Sequence, residues 1–192
     1  MSDKVFTSFV EELEARVKIE DSLKRGMRGI DRKDWKLART LYHEGGYDDH
    51  GFFKGPGDEL MPVLAKMHEH QDHSMHVISN IIIEFQARGR ALVESYILSL
   101  QRFQPSEPAV PADHFGLQKI VSARCLDLFE ERHGEWRVVH RTVVFGDVLS
   151  LPMSEPHRCP PGFIEQRHSM EAVSYTHLDV YKRQAEGKDR VD

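Results

Sequence analysis

Cysteine is scarce in this sequence, with only Cys125 and Cys159 among 192 residues. Two thiols cannot make a disulfide framework, and a reducing compartment suits them. Long apolar runs are also missing. No stretch approaches the ~20 residues of a membrane helix, and "MSDKVFTSFVEELEARVK" lacks the apolar centre of a secretory signal. Positive charge is in deficit, since 26 Lys and Arg against 31 Asp and Glu leave a net charge of −5. A nucleic-acid partner would ask for a basic face. The expectation is a soluble, cytoplasmic protein that binds neither nucleic acid nor membrane. At 40% hydrophobic and 30% charged residues, the chain has the balance of one globular domain with a real core.

From Phe6 to Asp31, apolar residues recur at helical spacing: Phe6, Phe9, Val10, Leu13, Val17, Leu23, Met27 and Ile30. This predicts a long amphipathic helix, in which Gly26 and Gly29 each cost about 1 kcal/mol relative to alanine. Asp34 has the chemistry of an N-cap for a short second helix, "DWKLARTLYH". After the turn-rich "EGGYDDHGFFKGPG", Asp58 could cap a third helix that runs to His70. At His76 the character changes. "HVISNIIIEF", "RALVESYILSLQRF", "LQKIVSARCLDLFEER" and "EWRVVHRTVVFGDVLSL" are β-branched and aromatic runs. "ARGR" and "RHGE" read as hairpin turns, and "QPSEPAVPADHFG" as a longer loop broken by proline. Three helices followed by four long antiparallel strands make an α+β fold, with the helices on one face of a curved sheet. Residues 152–172 have irregular loop composition. "VSYTHLDVYKRQ" resembles translated adaptor sequence, so 173–192 is read as a non-native tail and 1–151 as the domain.

The stretch "MHEHQDHSMHVISN", Met67 to Asn80, holds four histidines. A metal site wants three or four ligands converging on one point. His68 and His70 fall two apart on the third helix and so do not share a face, while His73 lies in the link that follows. No metal is expected, and "HEHQDH" reads as a solvated helix end. His76 differs. Alternation along the first long strand puts His76, Ile78, Asn80 and Ile82 on one face. Such an apolar wall with polar handles suits a greasy substrate that needs a proton moved. The plainer alternative is a core histidine bonded to a backbone carbonyl.

Five segments in order resemble one family: "GIDRKDW", "YDDHGFFKG", "HVISN", "ALVESY" and "DLFEERHGEWRVVHRTV". It is the SnoaL-like superfamily, the cone-shaped α+β barrel shared with scytalone dehydratase, ketosteroid isomerase and nuclear transport factor 2. The resemblance spans Phe6 to Leu151, and R-x-G-x-W before the last strand is its most specific part. The nearest pattern is the dehydratase group, which includes scytalone dehydratase, bile-acid dehydratases and hexachlorocyclohexane dehydrochlorinase. These share an Asp–His dyad, matched here by Asp31 and His76. Two of them carry an arginine five residues after the tryptophan of "GEW", which here is Arg141.

The resemblance implies a cofactor-free lyase or isomerase acting on a small hydrophobic, cyclic substrate inside the cone. His76 would be the base and Asp31 its orienting partner. Arg141, on a strand face shared with Val139 and Val143, would stabilise the charge that develops. Some positions depart from the pattern. Gly26 and Ile30 stand where the relatives have a tyrosine or lysine, with Arg25 or Arg28 as the side chains near enough to replace it. Gln101, with Ser99 two residues before it, stands where scytalone dehydratase has a second histidine. His50 falls near a tyrosine that helps the leaving water depart. His50, Tyr47 or Gln101 would assist the leaving group or position the substrate, with Asn80 and Ser99 beside them, and the acid is left open. The relatives form trimers through the outer sheet face, so a homo-oligomer is implied, a trimer or else a dimer. Two other readings remain: a non-catalytic ligand-binding domain, and a polyketide cyclase or ring-hydroxylating oxygenase accessory subunit.

Overall fold

The structure is a computed structural model that describes residues 5–105, 115–156 and 160–161. Cys159, most of segment 152–172 and the adaptor-like tail 173–192 lie outside the described residues.

Helix α1 (Phe9–Asp31) starts where the Ser8 hydroxyl accepts the Glu11 N–H at 3.2 Å. Glu11 and Glu12 add negative charge at its positive end. The row Ala15, Ile19, Leu23 and Met27 is buried. Val10, Leu13 and Val17, counted in the predicted stripe, are exposed because they lie on the other side of the helix from that row. The two glycines have a packing reason. A Cβ on Gly29 would stand 2.3 Å from the Ala38 nitrogen, so glycine lets α2 lie directly against α1.

Helix α2 (Trp35–Arg39) is capped as expected, with Asp34 accepting the Leu37 N–H at 3.0 Å. It is only five residues long, because Tyr42 already begins a strand. That strand, β1 (Tyr42–Asp49), and β2 (Lys54–Pro56) occupy the segment read as turns. Their glycines and aspartates have little strand propensity, and pairing supplies the order instead. In α3 (Gly57–Met67), Asp58 sits in the first turn and pairs with Arg39 rather than capping, and Pro56 takes the cap position. The helix ends at Met67, with His68 as its C-cap, so His70 is outside it.

Four long strands follow: β3 (Gln71–Ala87), β4 (Arg90–Phe103), β5 (Leu117–Arg132) and β6 (Glu135–Pro152). The sheet order is β2-β1-β6-β5-β4-β3, with β1 parallel to β6 and every other pair antiparallel. β3 begins five residues before His76, so His73 is on the strand rather than in a link. "ARGR" and "RHGE" do turn hairpins, and His133 and Gly134 at φ 56° and 81° are both left-handed, as a tight primed turn requires.

Bulges decide which side chains face inward. Between Ser79 and Ile82 the register gains one residue on β3, and Asn80 takes φ 49°. Ahead of this point His76 and Ile78 face the cavity or core; beyond it Ile81, Ile83 and Phe85 do, while Asn80 and Ile82 are exposed. On β6, Val139 is the extra residue opposite Leu128 and Phe129. The inward set therefore changes from Trp136 and Val138 to Arg141 and Val143, and Val139 does not share their face. The core lies between the helices and the inner sheet face, centred on Ile19, Leu23, Leu60, Val93, Phe129 and Val138.

Candidate active site

Asp31 is the last residue of α1, and β3 carries His76 past it. His76 Nδ1 lies 2.6 Å from Asp31 Oδ1. The same carboxylate accepts the His76 backbone N–H at 3.1 Å and the Ser74 hydroxyl at 3.2 Å. With a carboxylate as acceptor, Nδ1 carries the hydrogen and Nε2 keeps the lone pair that a base needs. Both side chains are mostly buried.

His76 lines a cavity of about 290 Å³, near the lower end of ordinary ligand pockets. Its walls are largely apolar, with Met27, Ile30, Leu64, Ile97, Val143 and Phe145 among them. The polar groups are few: His50, His68, Ser99, Gln101, Arg141 and the Tyr42 ring with its hydroxyl. Gln101 Nε2 donates to the Ser99 hydroxyl at 2.8 Å, so these two act as one unit on β4.

Arg141 is 2% exposed, and it is not surrounded only by apolar neighbours as the sequence implied. Its Nε and Nη2 each donate to Asp127 at 2.7 Å in a bidentate pair. Nη1 takes no part in that pair. Burial favours loss of the guanidinium proton, but Asp127, with Cys125 and Tyr42 adding to it, more than offsets this and raises the pKa well above the ordinary arginine value.

β1 adds a third group of residues. Asp48, fully buried, accepts hydrogen bonds from the Tyr42 hydroxyl and from His50 Nδ1. Burial pushes the Tyr42 phenol well above its ordinary value, with Arg141 opposing and Asp48 adding to the effect. Cys125 also lines the cavity, but burial pushes its thiol up to about 12, so it stays protonated and a poor nucleophile near neutrality.

The structure thus brings His76, Arg141, His50, Ser99 and Gln101 to one cavity, with Asp31 bonded to His76 behind its wall. Two expected residues are elsewhere. Tyr47 points to the opposite face of β1 from Asp48 and stacks on His140, ring centroids 5.2 Å apart. Asn80 is exposed because its bulge turns it out of the inward alternation. Arg25 and Arg28 are exposed on α1 and replace nothing in the cavity. His68, read as solvated, is buried, lines the cavity and meets Trp35 edge-on at 5.7 Å. Among the described residues, no three His, Cys, Asp or Glu side chains gather as a metal site would need.

Sequence reading missed Asp127, Asp48 and Tyr42. Asp127 carried a usable signal, since it alternates with Cys125 and Phe129 on the apolar face of β5. An acid in that row calls for a cationic partner. Asp48 and Tyr42 carried none while β1 was read as turns.

A curved sheet over three helices, enclosing one apolar cavity with an Asp–His pair, places the protein among the cone-shaped α+β folds. The SnoaL-like domain family model matches residues 11–142, and the chain belongs to that family. No curated protein matches the sequence. Among solved structures, a hexachlorocyclohexane dehydrochlorinase LinA-type3 from Novosphingobium barchaimii is 15% identical, with 80% of this chain and 100% of that one covered at a TM-score of 0.65. A protein provisionally called a scytalone dehydratase, from Novosphingobium aromaticivorans, is 19% identical, with 80% and 97% covered at 0.62. At these identities the likeness is one of fold.

Proposed function

We propose that the protein is a cofactor-independent lyase that carries out an elimination on a small hydrophobic, cyclic substrate. His76 is the base that takes the proton, and Asp31 fixes its tautomer and steadies the imidazolium as it forms. Arg141, held rigid by Asp127, offers Nη1 to charge that appears in the transition state. Ser99 and Gln101 position the substrate. The observation that carries this reading is the Asp31–His76 bond on the wall of an apolar cavity. The kinship in fold with a dehydrochlorinase supports it.

A screen of cyclic apolar ligands by thermal shift, with turnover assays on the hits, tests it. Turnover that disappears in His76→Ala is the expected result. Binding without turnover would favour the second reading, a non-catalytic ligand site. One observation favours that reading: Asp127 already satisfies much of the Arg141 charge. The outer sheet face exposes Met75, Val77, Tyr96, Leu98, Leu126 and Val144. We infer that other copies of the chain cover it, as a trimer or dimer.

A further inference from the structure

Helix α1 turns a polar side toward the hairpin between β5 and β6. Lys18, Ser22 and Arg25 recur at i, i+4 and i+7, which puts them on one side of the helix, beside the buried Ile19 and Leu23. Facing them, β6 opens with Glu135, Trp136 and Arg137. β1 joins β6 only from Val138 onward, so this stretch has an open edge, and side chains from both of its faces reach the same space. The result is a groove of about 340 Å³ between α1, Thr40 and the hairpin. It shares no lining residue with the His76 cavity.

The groove is rich in donors. Lys18 has no carboxylate partner among the described residues. Arg25 meets Asp21 only at 3.8 Å, beyond hydrogen-bond reach, and both side chains are exposed. Arg137 is paired with Glu135 through Nη2 at 2.8 Å. Three cations thus face two carboxylates, on a chain whose net charge is −5.

Trp136 points the same way. It is 4% exposed, its ring meets Phe85 edge-on at 5.8 Å, and among the described residues no acceptor takes its indole N–H. That nitrogen is not sealed from solvent, so it opens on the groove that the ring lines. The indole N–H of a buried tryptophan usually has a partner. An acceptor bound in the groove would supply one, and the cations around it favour a negative charge. Val17 and the planar Arg25 guanidinium offer faces that a ring would cover.

We propose that this groove is a second ligand site, for a small aromatic molecule bearing a carboxylate or phosphate. Lys18 and Arg137 meet the oxyanion, and Trp136 donates its indole N–H to it. Thr40 lines the groove and Leu41, next in the chain, lines the cavity, so the occupant sits behind the cavity wall. The site is independent of the lyase reading.

The test follows the two indole N–H signals by ¹H–¹⁵N NMR of the full chain, assigned with Trp35→Phe. Trp35 packs on His68, which lines the cavity, so its signal reports on the other site. Benzoate and phenyl phosphate are titrated, with benzyl alcohol as the neutral control. The Trp136 signal should shift saturably with the anions and stay in place with the alcohol. The tighter of the two anions names the oxyanion. Lys18→Gln combined with Arg137→Gln should weaken binding at least about tenfold. Glu135→Gln frees Arg137 from its pair and should tighten binding about two- to fivefold. A Trp136 signal that neither anion moves would overturn the proposal and leave the N–H to solvent. An equal response to benzyl alcohol would overturn it too, as would affinities that ignore all three substitutions.

Discussion

Asp31 reaches His76 from the end of a helix to a strand 45 residues away, whereas Asp48 reaches His50 two residues along a hairpin. Both pairs bind Nδ1 and leave Nε2 to the same cavity. The difference lies in what else each carboxylate touches. Asp31 also accepts the Ser74 hydroxyl and the His76 backbone N–H. Asp48 is sealed in a buried row beside Arg141 and Asp127, and it also accepts the Tyr42 hydroxyl. The same pair of side chains therefore occupies two different electrostatic settings on one cavity.

The largest expected effect separates the pairs by what they lose. Asp31→Asn should keep the fold but cost up to about 10⁴-fold in turnover, as loss of the working tautomer does in a serine-protease triad. His76→Ala should be about as damaging. The double variant should be hardly worse, because residues acting as a unit are not additive. Full activity in Asp31→Asn, measured on any substrate the parent turns over, would remove the first pair from the mechanism.

Arg141→Met comes next and acts on the second pair's surroundings. It strands Asp127, and removing one partner of a buried ion pair typically costs about 3–5 kcal/mol. The urea midpoint should fall accordingly. Arg141→Met combined with Asp127→Leu should recover much of the loss, since an apolar pair of similar volume carries no stranded charge. A single variant as stable as the parent would show that the row is less dry than its burial implies.

The comparison also shows what the sequence could reveal. The α+β class, the four long strands and their hairpins were legible because propensity, alternation and turn chemistry agree there. Asp31 and His76 were legible through ordered motifs, although they lie far apart in the chain. The second pair was half visible. His50 could be named, but Asp48 was hidden because "EGGYDDH" forms a strand only through its neighbours β2 and β6. Bulges are equally silent. Strict alternation put Asn80 inside and placed Val139 with Arg141, and one inserted residue in each strand reverses both.

The second pair's side of the cavity should also weaken first at high pH. Tyr42, which holds Asp48, and Cys125 both have folded pKa values raised by burial, the thiol from 9.0 to about 12. Once the pH passes the unfolded values, the unfolded chain releases protons that the folded chain keeps. Stability is then full below about pH 9 and falls as pH rises, by at most about 1.4 kcal/mol per pH unit for each group. Urea midpoints should drop between pH 8 and 10.5, and Cys125→Ala should make the decline shallower. A flat profile over that range would mean that neither group is as buried as the structure has it.

The smallest effect belongs to a residue that lies outside both pairs. Asn80 was expected on the wall beside His76, but its bulge turns it to solvent at φ 49°. Asn80→Ala should leave turnover within about twofold, far below the loss at a true contact residue. It should cost about 1 kcal/mol of stability, because alanine lacks the short polar side chain that eases the left-handed conformation. Asn80→Gly should cost less, since glycine adopts positive φ without a steric penalty. Paired measurements of turnover and urea midpoint separate the two roles. A large loss of turnover with stability intact would put Asn80 back in the cavity and would mean that the bulge shifts when substrate binds.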